Sequence, residues 1–140
     1  MRLPIRLIDG KIPTRAHPTD SGLDLFAASG AVIHPGMTCR IRTGIAVAIP
    51  EGFEGQVRPR SSLASRGVYA LLGTIDQGYR GEIGVILTNI STERYQVHEG
   101  DRVAQLHDLA LVGVCDGSPA LLRSLCLRYC CHLCQLLGDR

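Results

Sequence analysis

The strongest constraint on this chain is an alternation of apolar and polar residues with a period of two, from residue 1 to about residue 112. In segment 39–49 the apolar side chains take odd positions, and small or polar residues lie between them. The apolar positions are Cys39, Ile41, Ile45, Val47 and Ile49. Successive side chains of a β-strand point to opposite faces of a sheet, so this pattern predicts strands with one apolar face. Further strand-like runs cover 3–8, 23–27, 53–58, 67–72, 83–87, 95–97 and 102–112.

Turn signals that contain glycine separate these runs. They are Asp9-Gly10, Ser29-Gly30, Pro35-Gly36, Pro50-Glu51-Gly52 and Glu99-Gly100. Glycine and proline favour tight turns because of the backbone conformations that they adopt. Many short strands between such turns are typical of a sandwich or a barrel. The sequence therefore predicts an all-β domain, such as a jelly roll, over residues 1–112.

The pattern changes after residue 112. Five of the six cysteines lie beyond residue 114, and apolar residues recur at spacings of three and four within 119–138. That spacing predicts a helix, for which Pro119 fits an early position and Gly138 fits the stop. We therefore expect two parts. They are a β domain over 1–112 and an atypical tail over 113–140, which is rich in cysteine and leucine and helical by its pattern.

Charge and composition favour neither a nucleic-acid partner nor a membrane. The chain has 15 basic and 13 acidic residues, a net charge of +2, which is too balanced to indicate binding to a phosphate backbone. Met1 to Ile8 contains no continuous apolar run of the kind found in signal peptides. The apolar part of the tail is short for a membrane span and contains Arg123 and Arg128. We expect a cytoplasmic protein.

Two polar clusters in the first half of the chain could bind charged ligands. Segment 19–25 contains Asp24, whose carboxylate could contact Mg²⁺ through the water that this ion retains; the alternative is a turn that enters a strand. Segment 58–64 contains Arg60, Ser61 and Ser62, and a guanidinium with two hydroxyls suits phosphate oxygens. The alternative there is a serine N-cap beside a surface arginine.

Two further clusters follow in the second half. In segment 73–82, Asp76 could act as a general base on water, and the ring of Tyr79 could lie against a sugar and leave no room for a 2′-hydroxyl. The alternative is a hairpin turn with a buried tyrosine. In segment 100–106, Gln105 alternates with apolar neighbours, so its amide points away from them and could reach a phosphate. The alternative is an ordinary polar position in a strand.

Together, in this order and spacing, the four clusters resemble four of the five motifs of the trimeric dUTPase family. The resemblance covers about residues 2–112 and rests on the strings PRSSLAS, GTIDQGYRGEI and GDRVAQL. The related deoxycytidine triphosphate deaminases share the fold. The spacing of Asp76 and Tyr79 inside GTIDQGYRGE is similar to the dUTPase form.

The resemblance implies a jelly-roll-like homotrimer with active sites between subunits. It implies a Mg²⁺-dependent dUTP diphosphatase that forms dUMP and pyrophosphate, supplies dUMP and keeps uracil out of DNA. Asp76 would orient the attacking water, Tyr79 would pack on the deoxyribose, and Asp24 would contact Mg²⁺ through water. Thr74 and Ile75 would lie beside the nucleotide. The residues implied to hold the phosphates are Arg60, Ser61, Ser62 and Gln105.

Two departures from the family pattern affect these expectations. The segment between the second and third motifs is shorter than in many members and lacks their Asn and Pro, because Leu71-Leu72 runs straight into Gly73. We therefore assign no side chain to uracil recognition. In addition, residues 113–140 contain no string like the family's glycine-rich arm, RGxGGFGSTG.

The second departure leads us to expect a chain that binds dUTP but turns it over slowly. One alternative function is a dUTPase-like binding or regulatory protein without turnover, and a more distant one is a dCTP deaminase. Three origins are open for the tail. They are a change of reading frame or an unrelated terminal exon, a helix that packs on the trimer or a partner, and a metal site built on Cys126, Cys130 and Cys134.

Overall fold

The computed structural model describes residues 3–110, with side chains to residue 107. The helix and the cysteine cluster predicted for 113–140 lie outside the described residues. Within them, the chain forms eleven strands and one short helix. These are β1 Ile5–Leu7, β2 Leu23–Phe26, β3 Ala31–Ile33, β4 Thr38–Arg42, β5 Ile45–Val47, β6 Phe53–Arg58, α1 Ser61–Ala64, β7 Val68–Ala70, β8 Gly73–Ile75, β9 Gly84–Asn89, β10 Tyr95–Val97 and β11 Arg102–Ala110. Over residues 3–110, no helix is long and apolar enough to cross a membrane.

The strands pair antiparallel in four small sheets. The orders are β2-β11-β6-β8, β4-β9-β7, β1-β5 and β10-β3. Most hydrogen-bonded neighbours are distant in sequence, so the chain crosses repeatedly between sheets, which is typical of jelly-roll connectivity. The predicted all-β, jelly-roll-like fold is confirmed.

The inward faces of the sheets form one apolar core. On β4 the alternation is as predicted, since Ile41 is buried while Arg40 and Arg42 are exposed. Ten large apolar side chains are almost completely buried: Leu25, Ile33, Ile41, Ile45, Val47, Val68, Val85, Leu87, Val97 and Val103. Burying a side chain of this size contributes about 1.5–3 kcal/mol, so this cluster is the main stabilising feature of the domain.

Segment 39–49 forms two strands and not one continuous strand. Gly44 ends β4 with a φ of +64°, and its carbonyl accepts hydrogen bonds from the amides of Ile8 and Asp9. A Cβ at Gly44 would lie 2.3 Å from the amide nitrogen of Gly10, so only glycine fits there. After this break the chain enters a different sheet, and all three residues of β5 are buried.

Candidate active site

The first polar site surrounds Asp24, a charged residue that is only 2% exposed. Its Oδ1 lies 3.3 Å from Arg60 Nε and accepts a 3.3 Å hydrogen bond from Gln105 Nε2. Its Oδ2 accepts a 3.4 Å hydrogen bond from Arg102 Nη1. Buried charges are normally paired in this way. One carboxylate between two guanidiniums leaves an excess of positive charge, which suits an anion.

A bulge in β11 brings Arg102 and Gln105 to the same carboxylate. Residues three apart in a regular strand point to opposite faces of the sheet. The register of β11 against β2 shifts between Arg102 and Ala104, however, and the additional residue restores both side chains to the face of Asp24. Gln105 pairs directly opposite Asp24. Ala104 and Leu106 are buried while Gln105 is half-buried, as the alternation of the sequence predicts.

Arg60 lies where β6 passes into α1. It is the N-cap residue of this helix and forms no side-chain cap, so the alternative of a serine N-cap is wrong. Its side chain is 17% exposed, and Nη1 donates a 3.1 Å hydrogen bond to the carbonyl of Arg102. A surface arginine is therefore also excluded. Ser61 and Ser62 are exposed in the first turn of α1, so their hydroxyls are accessible beside this guanidinium.

The second polar site is a pocket of about 200 Å³ at the end of β8. It brings together four of the site residues that the sequence predicts, which are Thr74, Ile75, Asp76 and Tyr79. Asp76 is exposed, and its carbonyl accepts a 3.0 Å hydrogen bond from the amide of Tyr79, which closes the turn between them. Tyr79 is 42% exposed, so the alternative of a buried tyrosine is wrong.

Glu82 holds this turn in place. Its carbonyl accepts a 2.9 Å hydrogen bond from the hydroxyl of Tyr79, which fixes the ring at the pocket wall. Its carboxylate accepts a hydrogen bond from the amide of Gly44 at 2.9 Å and lies 3.2 Å from Arg42 Nε. Hydrogen bonds to Asp9 and Glu82, and the attraction of both carboxylates, raise the pKa of Arg42. The guanidinium, which is charged at any physiological pH, forms an ion pair that keeps Glu82 in position.

Sequence reasoning assigned no role to three residues around the pocket, Arg40, Arg42 and Glu82. Glu82 lies inside the string GTIDQGYRGEI, so its position was visible although its role was not. Arg40 and Arg42 both belong to β4. Its pairing with β9 brings Arg40 to the pocket wall, whereas Arg42 contacts Glu82. No local sequence signal indicates that pairing.

A single chain keeps the two polar sites apart. Val57 of β6 pairs with Gly73 of β8, and the strands run in opposite directions. Arg60 lies three residues beyond this pair in one direction and Asp76 lies three residues beyond it in the other. At about 3.3 Å per residue, the two are separated by roughly 20 Å. At this backbone separation the side chains of Arg60 and Asp76 do not meet within one chain.

Comparisons with known proteins agree with the motifs. The family model for dUTPase matches residues 9–110. The deoxyuridine 5′-triphosphate nucleotidohydrolase of Clostridium tetani is 46% identical over 109 residues, which cover 74% of this chain and 75% of that protein. The Mycobacterium avium enzyme of the same name is 50% identical over 107 residues, which cover 73% of this chain and 70% of that protein.

Solved structures give the same result. A point mutant of the dUTPase from phage phi11 of S. aureus superposes with a TM-score of 0.76 at 30% identity, covering 81% of this chain and 93% of that one. The dUTPase of Staphylococcus bacteriophage 80alpha also has a TM-score of 0.76, at 27% identity, covering 80% of this chain and 92% of that one. The family model covers well over half of the chain, and the chain belongs to the dUTPase family.

Proposed function

We propose that this chain hydrolyses dUTP to dUMP and pyrophosphate, and thereby supplies dUMP and limits the incorporation of uracil into DNA. The observation that carries the proposal is the pocket at β8, where Asp76 and Tyr79 are both exposed in a chain of the dUTPase family. Relatives that are 46% and 50% identical are named for this reaction. We also propose that the protein acts in the cytoplasm.

The Asp24 site is proposed to hold the triphosphate. Arg60 uses Nε and Nη1 within the protein, and its other N–H groups are available to phosphate oxygens. Gln105 donates one amide N–H to Asp24 and has a second to offer. The hydroxyls of Ser61 and Ser62 complete the donor set. Donors that are fixed before the substrate arrives stabilise the charge that develops at phosphorus during the reaction.

The pocket at β8 is proposed to hold the nucleoside and the attacking water. Asp76 would orient this water and accept its proton as the water attacks the α-phosphorus, so that pyrophosphate leaves. The ring of Tyr79, held through its hydroxyl by Glu82, would pack on the deoxyribose and exclude ribose. Thr74 and Ile75 would lie beside the nucleotide on the same strand.

A complete site needs more than one copy of the chain, because about 20 Å separate Arg60 from Asp76 within one chain. We propose a homotrimer in which the pocket of one subunit faces the Asp24 site of its neighbour. Cyclic symmetry then creates three equal sites from one kind of contact. The β domain over 1–112 is proposed to form this trimer, with 113–140 as a separate part.

Mg²⁺ is proposed as the cofactor. Asp24 fits a contact through water and not a direct one, because three of the roughly four lone-pair positions of its carboxylate already have partners. The phi11 phage mutant coordinates a structural Mg(II) ion. Bound to the phosphate oxygens, Mg²⁺ would neutralise part of their charge. Arg60 and Gln105 would orient the phosphates relative to the Mg²⁺ ion.

The test of the function is the Asp76→Asn variant, with Glu51→Gln in an exposed turn as the matched control. Pyrophosphate release from dUTP with Mg²⁺ should occur in the wild type and the control and be abolished in Asp76→Asn. All three should bind a non-hydrolysable α,β-imido analogue of dUTP equally. Normal hydrolysis by Asp76→Asn would show that this aspartate is not the base.

The missing glycine-rich string favours one second candidate, a nucleotide-binding protein with little turnover. A charged group that a neighbouring chain supplies can raise the rate of phosphoryl transfer by about 10³- to 10⁵-fold. Residues 113–140 contain no RGxGGFG string. We expect slower turnover than in the Clostridium tetani relative. Tight analogue binding without any pyrophosphate release would favour the second candidate, and ammonia release from dCTP would favour a deaminase.

A further inference from the structure

We propose that Arg40 recognises the base, and that its guanidinium donates a hydrogen bond to the C4 carbonyl oxygen of uracil. This inference rests on the proposed function and assigns a residue to a step that the sequence left without one. Arg40 would then be a specificity-determining residue, and it would distinguish uracil from cytosine in the pocket at β8.

The first support is the place of Arg40 in the pocket wall. It projects from the exposed face of β4, where it pairs with Ile86 of β9, and its side chain extends back along β9 to Gly84. A Cβ at Gly84 would lie 2.2 Å from Arg40 Nε and 2.7 Å from its Cζ. The guanidinium therefore occupies the volume that any other residue at 84 would fill. It lines the pocket together with Asp76 and Tyr79.

The second support is the number of donors that Arg40 has available. Its guanidinium carries five N–H groups, and Nη2 makes a long hydrogen bond of 3.4 Å to the carbonyl of Glu82. Two other polar side chains at the wall, Tyr79 and Glu82, already have hydrogen-bond partners. The hydroxyl of Tyr79 donates to Glu82, and the carboxylate of Glu82 accepts from Gly44 and Arg42. Among the described residues that line the pocket, Arg40 is the only basic one.

The third support is the short connection before β8. Only Leu71 and Leu72 join β7 to β8, and the two strands pair with β9 and β6 and not with each other. Both leucines are exposed and apolar, so this connection offers the base no side-chain donor. A side chain that recognises a polar edge of the base must therefore come from another element, and Arg40 of β4 lines the same pocket.

The chemistry of the bases makes such a contact selective. Uracil has a carbonyl oxygen at C4, which accepts hydrogen bonds, whereas cytosine has an amino group there, which donates them. A guanidinium has donors only. It would pair with uracil and would face an unpaired donor in cytosine. A buried polar group without a partner is what allows a site to reject a close analogue.

The test compares the affinities of α,β-imido analogues of dUTP and dCTP for the wild type, Arg40→Leu and the control Arg94→Leu. Arg94 is exposed in the turn between β9 and β10 and loses the same charge. A hydrogen bond to a charged group predicts that Arg40→Leu binds the dUTP analogue about 10- to 100-fold more weakly. Its affinity for the dCTP analogue should not fall, and Arg94→Leu should match the wild type.

A second variant, Gly84→Ala, tests the same idea without removing the arginine. Its new methyl group would displace the flexible guanidinium, so the preference for the dUTP analogue should fall here as well. An equal loss for both analogues in Arg40→Leu would mean that Arg40 acts on phosphates and would overturn the inference, as would an unchanged preference in both variants. If the wild type does not bind the dUTP analogue at all, the proposed function fails first.

Discussion

At the scale of single residues, two aspartates of this chain have opposite surroundings. Asp24 is almost completely buried between Arg60 and Arg102, whereas Asp76 is exposed at the wall of a pocket. A carboxylate that is held by two guanidiniums positions them. An exposed carboxylate can approach a water molecule. The two environments thus fit the roles that are proposed for these aspartates, which are positioning for Asp24 and chemistry for Asp76.

The Asp24 site predicts a loss of stability in Asp24→Asn. The variant keeps the shape of the side chain but leaves two guanidiniums without a counter-charge. We expect the free energy of unfolding in urea to fall by about 1–3 kcal/mol, with weaker binding of the dUTP analogue. Glu51→Gln, in an exposed turn, should leave both quantities unchanged. A variant as stable as the wild type would mean that the two ion pairs contribute nothing net.

Tyr79 predicts a change in the choice of sugar. Tyr79→Ala removes the ring and should raise kcat/KM for UTP relative to dUTP, because the space for a 2′-hydroxyl is then open. Tyr79→Phe keeps the ring and loses only the hydrogen bond to Glu82, so it should still exclude UTP. Steady-state pyrophosphate release with both substrates measures the ratio. Equal ratios in Tyr79→Ala and the wild type would contradict a role for the ring in sugar selection.

At the scale of strands and turns, local sequence predicted most strands but not how they meet. The alternation located β4, β6, β9 and β11, because one face of each strand is buried. It missed β3, a three-residue strand, and β8, whose polar and glycine residues were read as part of a ligand cluster. Nor does it show the bulge at Arg102, which depends on pairing with β2, far away in the sequence.

The same limit applies to the candidate site. Motif strings identified Arg60, Asp76 and Tyr79, since these residues lie in short, specific segments. The contribution of Arg40 depends on the absence of a side chain at Gly84, on a different strand. A relation between two distant positions leaves no pattern within either segment, so the sequence could not indicate it.

Gly44, between β4 and β5, predicts a large effect for a small substitution. Gly44→Ala must tolerate a positive φ and also place its Cβ 2.3 Å from a backbone amide nitrogen of Gly10. Gly52→Ala is the matched control, since it has a positive φ but no atom within 4 Å of the new Cβ. The left-handed conformation alone costs about 1–2 kcal/mol. Urea unfolding should show that loss in the control and a clearly larger one in Gly44→Ala.

At the scale of the whole molecule, one chain holds the two polar sites apart. The sheet order β2-β11-β6-β8 places the Asp24 site at β2 and β11, while the pocket lies at the end of β8, on the other edge of the sheet. This separation follows from strand pairing, and small motions of side chains do not remove it. The proposed trimer predicts that activity depends on assembly, and dilution below the dissociation constant of the trimer should remove it.

This dependence can be tested by mixing two inactive variants. Asp76→Asn damages only the pocket, and Arg60→Ala damages only the Asp24 site, so each homotrimer should be inactive. In randomly mixed trimers, about one quarter of the sites combine an intact pocket with an intact neighbouring Asp24 site, so roughly that fraction of wild-type activity should return. Thermal unfolding of each variant establishes that it is folded. A mixture no more active than its components would mean that both sites act within one chain, against the distance between Arg60 and Asp76.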